Sequence, residues 1–214
     1  MTILRGLDTT MELTRHAAAL KRQGYDFAMR YYSHNAAKNL SLGEARALSQ
    51  AGLRIGVVWE TSGTRASFFN RAQGLADGAA AFLMAKETIG QPYGSAIYFA
   101  VDYDPTQADI DGVISNYFTG VRAALYVGAE GQPSYRVGVY GSGLCCASLV
   151  EREMASLSWL SQSTGFAGSR RYAEQQRYDL IQMLPVRILG EDGAVLDIDP
   201  DASHPDREVG LFSV

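Results

Sequence analysis

Short apolar segments rich in β-branched and aromatic residues alternate regularly with longer segments of helical period along the chain. One of them, AIYFAV at 96–101, is nearly all apolar, as expected for a strand that is covered on both faces. We predict eight strands, at 3–7, 27–32, 53–59, 96–101, 136–140, 158–160, 180–183 and 195–198. Helical patterns lie between most of them, at 12–22, 41–50, 67–89, 106–126 and 144–154. This alternation is typical of parallel strands that are joined by crossover helices.

Both an open doubly wound sheet and a closed barrel have this alternation, and the count of eight strands favours the barrel. The chain has 214 residues, which is near the lower size limit for that fold. We therefore predict a single α/β domain over 1–214, a compact (β/α)8 TIM-type barrel with short or missing helices after strands six and seven. Residues 200–214 are expected to form a surface tail.

Composition excludes several classes of partner. With 19 basic against 23 acidic side chains the formal charge is −4, which leaves no basic surface for nucleic acid. No segment approaches the ~20 apolar residues that span a bilayer. Residues 1–10 carry Arg5 and Asp8 and lack the apolar run of a secretory signal. We expect a monomer that is made in the cytoplasm and is released or exported by a signal-independent route.

The sequence contains no pattern for a cofactor or a metal. It has no phosphate loop or dinucleotide fingerprint, and its three histidines are scattered. Cys145 and Cys146 are adjacent, which is poor geometry for a disulfide and gives no metal-ligand spacing, so we expect two buried thiols. Ser142 lies in a GSG segment without the full GxSxG motif and is predicted to be a helix cap. We therefore predict no cofactor and no metal.

Polar residues stand at the carboxyl end of every predicted strand, where the side chains of a parallel barrel converge on an open mouth. In strand order they are Asp8, Arg30, Glu60, Asp102 with Asp104, Tyr140, Gln162, Gln182, and Asp197 with Asp199. A single aspartate after a strand can simply cap the next helix. Four acidic strand ends in one ring would crowd like charges without a purpose, so the pattern predicts a functional cleft.

The pair Asp102 and Asp104 indicates the chemistry of this cleft. Side chains two apart on a strand face the same way, with alpha carbons ~7 Å apart. Their carboxyl groups would then lie within the range that glycosidic acid/base pairs use. Repulsion between close carboxylates keeps a proton on one of them, as acid catalysis requires. The predicted catalytic residues are Asp102, Asp104 and Glu60.

Aromatic and amide side chains accompany these carboxylates, as expected for a saccharide site. Sugar C–H faces stack on aromatic rings, and sugar hydroxyls bond to amides, carboxylates and guanidinium groups. The aromatic candidates are Tyr31, Tyr32, Trp59, Tyr98, Tyr103, Tyr140 and Trp159. The predicted substrate-binding residues are Asp8, Arg30, Tyr32, Tyr140, Gln162, Gln182 and Asp197.

A series of segments in this order resembles the bacterial glycoside-hydrolase-like domains of unknown function, which are distantly similar to the lysozyme-type (family 25) muramidases. The segments are GLD at 6–8, FAMRYY at 27–32, KNL at 38–40, GL at 52–53, WE at 59–60, AQG at 72–74, AD at 76–77, IYFAVDYD at 97–104, VGVYG at 137–141 and WLSQS at 159–163, with Gln182 and Asp197 near the end. The resemblance implies a (β/α)8-type barrel with its cleft at the carboxyl ends of the strands.

The muramidases place an Asp at the end of strand one, an Asp-x-Glu pair on strand four and an Asp on the last strand. By this resemblance those positions correspond to Asp8, to Asp102 with Asp104, and to Asp197. Asp104 stands where the muramidases have the Glu that acts as general acid. Its side chain is one methylene shorter, and a displacement of about 1 Å can cost ~100-fold in rate.

The favoured hypothesis is a glycoside hydrolase that acts on a bacterial cell-wall glycan. Glu60 or Asp104 would protonate the leaving oxygen, while Asp102 stabilises the oxocarbenium ion or orients the acetamido group of the substrate. Asp8 and Asp197 would tune the pair and hold hydroxyls. Two alternatives are a non-catalytic glycan-binding barrel and a metal-dependent hydrolase, since clustered carboxylates also suit Mg²⁺ or Ca²⁺.

Overall fold

The structure is a computed structural model that describes residues 2–214. These residues form a closed eight-stranded α/β barrel, with the strands in the order β1-β2-β3-β4-β5-β6-β7-β9 and a further pairing of β1 with β9. A ninth strand, β8, pairs only with β9. The strands are β1 Arg5–Asp8, β2 Phe27–Tyr32, β3 Arg54–Trp59, β4 Ala96–Ala100, β5 Arg136–Gly141, β6 Leu157–Leu160, β7 Leu180–Gln182, β8 Val186–Leu189 and β9 Val195–Ser203. The prediction of a TIM-type barrel is confirmed.

Helices cover the outside of the barrel between consecutive parallel strands. They are α1 Ala17–Arg22, α2 Leu42–Gln50, α3 Arg71–Leu83, α4 Gln107–Asp109, α5 Ser115–Gly128, α6 Gly143–Glu151 and α7 Ser169–Glu174. Two π-helical segments, Met84–Ile89 and Ile110–Ile114, continue α3 and join α4 to α5. The connection after β6 carries only the six-residue α7, and the connection after β7 carries β8 in place of a helix. The prediction of short or missing helices after strands six and seven is thus confirmed. Among residues 2–214 we find no helix that is both long and apolar enough to cross a membrane.

Strand alternation divides the side chains between the barrel interior and the helical layer. On β2, Phe27 and Met29 belong to the interior cluster, whereas Ala28 and Tyr32 pack in the cluster between sheet and helices. Gly6 faces the ring of Phe27 so closely that a Cβ atom there would lie 2.2 Å from it. The interior is therefore a packed core below the mouth.

Two predicted helix starts are found at their cap residues. Ser142 Oγ accepts a hydrogen bond from Cys145 N at 3.2 Å, and Cys145 and Cys146 are buried free thiols. Ser41 Oγ accepts from Glu44 N at 3.1 Å, which is one half of a capping box. The other half is absent because the Glu44 carboxylate turns inward and binds groups outside its own helix.

The last barrel strand differs from the prediction in direction and in extent. β9 is antiparallel to both β1 and β7, because it returns from β8 through a hairpin and not through a crossover helix. Its first residues, Val195–Ile198, pair with β8, and the barrel is closed by the pairs from Asp8↔Asp199 to Arg5↔Ala202. On β9, therefore, the residues nearest the mouth come first.

Residues 200–214 are not a surface tail, which corrects the prediction. Residues 200–203 belong to β9, and Phe212 forms a backbone bridge with Ile55. The Val209 side chain packs into the interior cluster, and its carbonyl accepts a hydrogen bond from Tyr98 Oη at 3.0 Å. The segment therefore covers the amino-terminal end of the barrel, where the interior would otherwise be open to water.

Candidate functional site

A polar cavity of about 210 Å³ opens at the carboxyl ends of the parallel strands. It is lined by Tyr31, Val58, Glu60, Asp102, Tyr140, Trp159, Gln162, Gln182 and Asp199. A larger groove of about 560 Å³ lies at the opposite end of the barrel, beside Arg122 and Glu153, and contains none of these strand-end residues. We take the smaller cavity as the candidate site because the carboxylates converge there.

Gln182 organises one wall of the cavity. Its Nε2 donates to Asp8 Oδ2 at 2.8 Å and to Asp199 Oδ2 at 3.1 Å. Its Oε1 accepts from Tyr140 Oη at 2.9 Å and from Gln162 N at 3.3 Å. Gln162 Nε2 also donates to Asp199 Oδ2 at 3.2 Å. Because both ends of the Gln182 amide are engaged, its orientation is fixed, and it holds the two carboxyl groups side by side.

Asp8 lies at the bottom of this wall, with only 3% of its surface exposed. Burial raises the pKa of its carboxyl group to about 7, and the charges of Asp199 and Glu60 act in the same direction. Hydrogen bonds from Gln182 and from Tyr31, whose Oη lies 2.8 Å from Asp8 Oδ1, oppose the rise. Asp8 therefore exchanges a proton near neutral pH.

The opposite wall contains Glu60, Asp102 and Lys38, the cation that pairs with Glu60. Lys38 Nζ lies 2.9 Å from Glu60 Oε1 and 4.8 Å from the centroid of the Tyr31 ring. The Asp102 carboxylate makes no hydrogen bond to any residue in the range 2–214. Partial burial raises the pKa of Asp102, the charge of Glu60 adds to the rise, and Lys38 opposes it. Asp102 thus presents an unengaged carboxyl group to the cavity.

Asp104 does not join Asp102, which corrects the predicted acid/base pair. β4 ends at Ala100, so both aspartates lie in the loop after the strand, where strand alternation no longer applies. Asp104 Oδ1 accepts a hydrogen bond from Ala167 N at 2.8 Å and so ties this loop to the loop after β6.

Arg30 and Tyr32 point away from the mouth, contrary to their predicted substrate-binding role. Arg30 Nε donates to Glu44 Oε1 at 2.7 Å, and its Nη1 donates to Thr9 O, which ties β2 to α2 and to the loop after β1. Tyr32 Oη donates to Gln91 Oε1 at 3.0 Å in the helical layer. Tyr31, on the other face of the strand, takes the place at the mouth.

Asp197 lies outside the cavity. Its side chain is 71% exposed and pairs with Arg187 Nε at 2.8 Å across the β8–β9 hairpin. Asp199 occupies the corresponding place in the barrel because the register pairs it with Asp8. The sequence showed both aspartates at the end of the predicted strand, but no local signal distinguished the one that enters the barrel.

The structure therefore brings together six predicted residues and leaves four apart. The cavity is lined by Glu60, Asp102, Tyr140, Gln162 and Gln182. Asp8 accepts a hydrogen bond from Gln182 in its wall. Tyr31 and Trp159, predicted only as aromatic candidates, and Asp199, predicted only as a strand-end residue, belong to the same site. Lys38, to which the sequence analysis gave no role, also belongs to it. Within residues 2–214 no three His, Cys, Asp or Glu side chains are arranged as metal ligands.

Solved structures with low sequence identity share this fold. The Tat-secreted protein Rv2525c of Mycobacterium tuberculosis, in a complex with L-tartrate, superposes with a TM-score of 0.74 at 18% identity, over 99% of each chain. A bacterial lysozyme from Streptomyces coelicolor superposes with a TM-score of 0.52 at 14% identity, over 96% of this chain and 93% of the lysozyme.

Sequence comparison gives the family. The uncharacterized protein FadG of Bacillus subtilis (strain 168) is 29% identical over 216 residues, which is 97% of this chain and 36% of FadG. The chain thus spans about a third of the length of this relative. The sequence model of the Rv2525c-like, glycoside hydrolase-like domain matches residues 18–201. The chain belongs to the family of Rv2525c-like glycoside hydrolase-like domains.

Proposed function

We propose that this domain is a glycoside hydrolase that cleaves a bacterial cell-wall glycan, with peptidoglycan as its substrate. The observation that carries the proposal is the placement of Asp102 and Asp199 on two sides of one aromatic-lined cavity. Asp102 follows β4 and Asp199 lies on β9, and these two strands are four strands apart in either direction around the barrel. A glycosidic bond between these two carboxyl groups would meet an acid on one side and a carboxylate on the other, as hydrolysis of an acetal requires.

In this mechanism Asp102 is the general acid. Its proton passes to the glycosidic oxygen as the bond from that oxygen to the anomeric carbon breaks, and the bonding electron pair stays with the leaving oxygen. The raised pKa of Asp102 favours the protonated form that this step needs. Its carboxyl group is free to turn toward a substrate because no described side chain binds it.

Asp199 faces the positive charge that develops on the sugar. Burial raises the pKa of Asp199, and the hydrogen bonds that Gln162 and Gln182 donate to its Oδ2 favour the ionised form and fix the carboxylate without a cation that would cancel its charge. Water adds its hydroxyl to the anomeric carbon, and Asp199 accepts the remaining proton. Glu60, held by Lys38, would bind hydroxyl groups of the sugar at the rim.

The size and lining of the cavity support a saccharide ligand. Its volume is below the ~300–1,000 Å³ of pockets that enclose a drug-sized molecule, so it would hold one sugar unit while the rest of the glycan lies outside. Tyr31, Tyr140 and Trp159 offer aromatic surface, and Gln162 offers an amide for hydroxyl or acetamido groups.

The test is the release of reducing ends from purified peptidoglycan. Asp102→Asn should abolish it, because the amide cannot donate a proton to the leaving oxygen. Asp104→Asn is the matched control: it lies two residues away, keeps an acceptor for Ala167 N, and should retain activity. Equal activity of the Asp102→Asn variant and the unmodified protein would refute the assignment.

A glycan-binding barrel without hydrolysis is the second candidate, and the position of Asp104 favours it. Where the resembling muramidases have their acidic Glu, this chain has a shorter side chain that is bonded outside the cavity. Isothermal titration with muropeptides separates the two functions. Binding without turnover over long incubation would support this second candidate.

We also propose that the domain acts outside the cytoplasm, as a wall-directed enzyme must, and as a monomer. Its structural relative Rv2525c is Tat-secreted, which supports export. Fractionation of producing cells into cytoplasm, wall and medium tests the location. Light scattering of the purified domain tests the oligomeric state.

A further inference from the structure

A fully buried carboxyl group lies beneath the cavity. Asp201 is on β9, two residues after Asp199 and therefore on the same face of the strand. It pairs with Gly6, two residues below Asp8 on β1, and its exposed fraction is 0%. Asp201 is thus one layer deeper in the barrel than the carboxyl groups of the site.

Among residues 2–214, the surroundings of Asp201 offer one donor and no cation. Trp159 Nε1 donates to Asp201 Oδ1 at 2.8 Å, and Oδ2 has no hydrogen-bond partner among the described residues. The titratable groups that act on it or respond to its charge are Asp8 on β1, Asp199 on β9, Tyr98 on β4 and Tyr140 on β5. All of them are acids. An ionised carboxylate in this place would be dry, with one oxygen unsatisfied and like charges above it.

We infer that Asp201 is a positioning residue, held as an uncharged carboxylic acid, which fixes the Trp159 indole as the floor of the cavity without placing a charge beneath Asp8. Burial raises the pKa of Asp201 well above its usual range, and the charges of Asp8 and Asp199 act in the same direction. The expected contribution of Asp201 to glycan binding and turnover rests on the proposed function. The protonation state of Asp201 does not depend on it.

The Trp159 indole connects Asp201 to the carboxyl groups of the site. Its ring centroid lies 4.7 Å from that of Tyr140, at an interplanar angle of 65°. The hydroxyl group of Tyr140 donates to Gln182, which holds Asp8 and Asp199. A rotation of the Trp159 indole would therefore displace the floor of the cavity relative to the wall formed by Gln182, Asp8 and Asp199, where we expect the substrate to bind.

Infrared spectroscopy tests the protonation state without any substrate. The spectrum is recorded at a pH well above 7, where Asp8 is ionised, for the unmodified domain and for Asp201→Asn. We expect the unmodified protein to show the carbonyl band of a protonated carboxyl group, and Asp201→Asn to lack it. If the two spectra do not differ in this band, Asp201 is ionised and the inference is wrong.

Two substitutions test the positioning role. Asp201→Asn keeps an acceptor for Trp159 and the same volume, so we expect the near-ultraviolet circular dichroism, the affinity for a chitooligosaccharide and the pH profile to stay unchanged. Asp201→Ala removes the acceptor, and we expect an altered tryptophan signal and about tenfold weaker binding, because the ligand must then order an indole that this hydrogen bond had held in place. Rescue by Asn distinguishes positioning from general damage.

Other results would overturn the inference. The acid limb of the pH–activity profile could lie at lower pH in Asp201→Asn than in the unmodified domain. This would mean that the substitution had removed a negative charge from beneath Asp8, and hence that Asp201 is ionised. If Asp201→Ala does not fold, Trp159→Phe replaces it, since Phe keeps an aromatic floor but cannot donate to Asp201. Unchanged binding in that variant would refute the positioning role. A domain that neither binds nor cleaves glycans would refute the proposed function and leave the infrared result decisive for Asp201.

Discussion

The protonation of Asp8 predicts an unusual dependence of stability on pH. The unfolded chain has this carboxyl group at its ordinary pKa of 3.8, whereas burial raises it to about 7 in the native protein. Between these values the unfolded state loses the proton and the native state keeps it, so the free energy of unfolding falls as pH rises. The span corresponds to an upper limit of roughly 4 kcal/mol, with the full contribution present below pH 3.8 and lost above about pH 7.

Asp8→Asn should remove this decline. The amide has no charge to desolvate, so the variant gains stability relative to the unmodified protein as pH rises. Its Oδ1 can still accept from Gln182 Nε2 while its Nδ2 donates to Tyr31 Oη, so both contacts of the side chain can be kept. Urea unfolding over a pH series measures the free energy of unfolding of both proteins, with exposed Asp197→Asn as the control. Parallel curves for Asp8→Asn and the unmodified protein would refute the reasoning.

Three further substitutions follow from the geometry. Arg30→Met leaves the Glu44 carboxylate buried without its guanidinium partner and should lower the free energy of unfolding by about 3–5 kcal/mol, measured in urea; a loss below about 1 kcal/mol would contradict it. Gly74→Ala places a Cβ 2.0 Å from Tyr117 O, where α3 packs on α5. It should lower the melting temperature by several degrees, at roughly 2–4 °C for each kcal/mol of stability lost. An unchanged melting temperature would show that the two helices can move apart and would contradict the prediction. Asp104→Ala should lower thermal stability slightly but leave the affinity for chitooligosaccharides within about twofold by titration, since one side chain–backbone hydrogen bond outside the cavity is lost.

The predicted elements are accurate where their pattern is local. Apolar segments and helix caps are properties of neighbouring residues, and the strands over 27–32 and 136–140 are found within one residue of their predicted ends. The direction of β9 is not a local property. It depends on whether the chain after β7 crosses over or turns back, and β8, with Arg187 inside an apolar segment, carried too weak a pattern to show a hairpin.

The candidate site shows the same division. Glu60, Gln162 and Gln182 could be named in advance because parallel strands deliver their carboxyl ends to one mouth. The sequence did not show whether Tyr31 or its neighbours Arg30 and Tyr32 face the cavity. Apart from Arg30, FAMRYY is apolar or aromatic on both faces, since one face meets the barrel interior and the other meets the helices. Its one charged residue, Arg30, lies on the face toward the helices, where it pairs with Glu44, so no polar–apolar alternation marks the inner face.

The sequence by itself determined that this chain builds a barrel with acidic strand ends. The period of the hydrophobic residues and the residue types at the strand ends are local properties, which can be seen without knowing the tertiary structure. Only the tertiary structure decided which acids meet. Asp199 replaces Asp197 through the antiparallel register of β9, Asp104 is drawn to Ala167, and Asp201 lies beneath the floor, bonded to Trp159. These pairings join residues that are distant in sequence, and their geometry follows from closure of the barrel and not from any neighbouring residue.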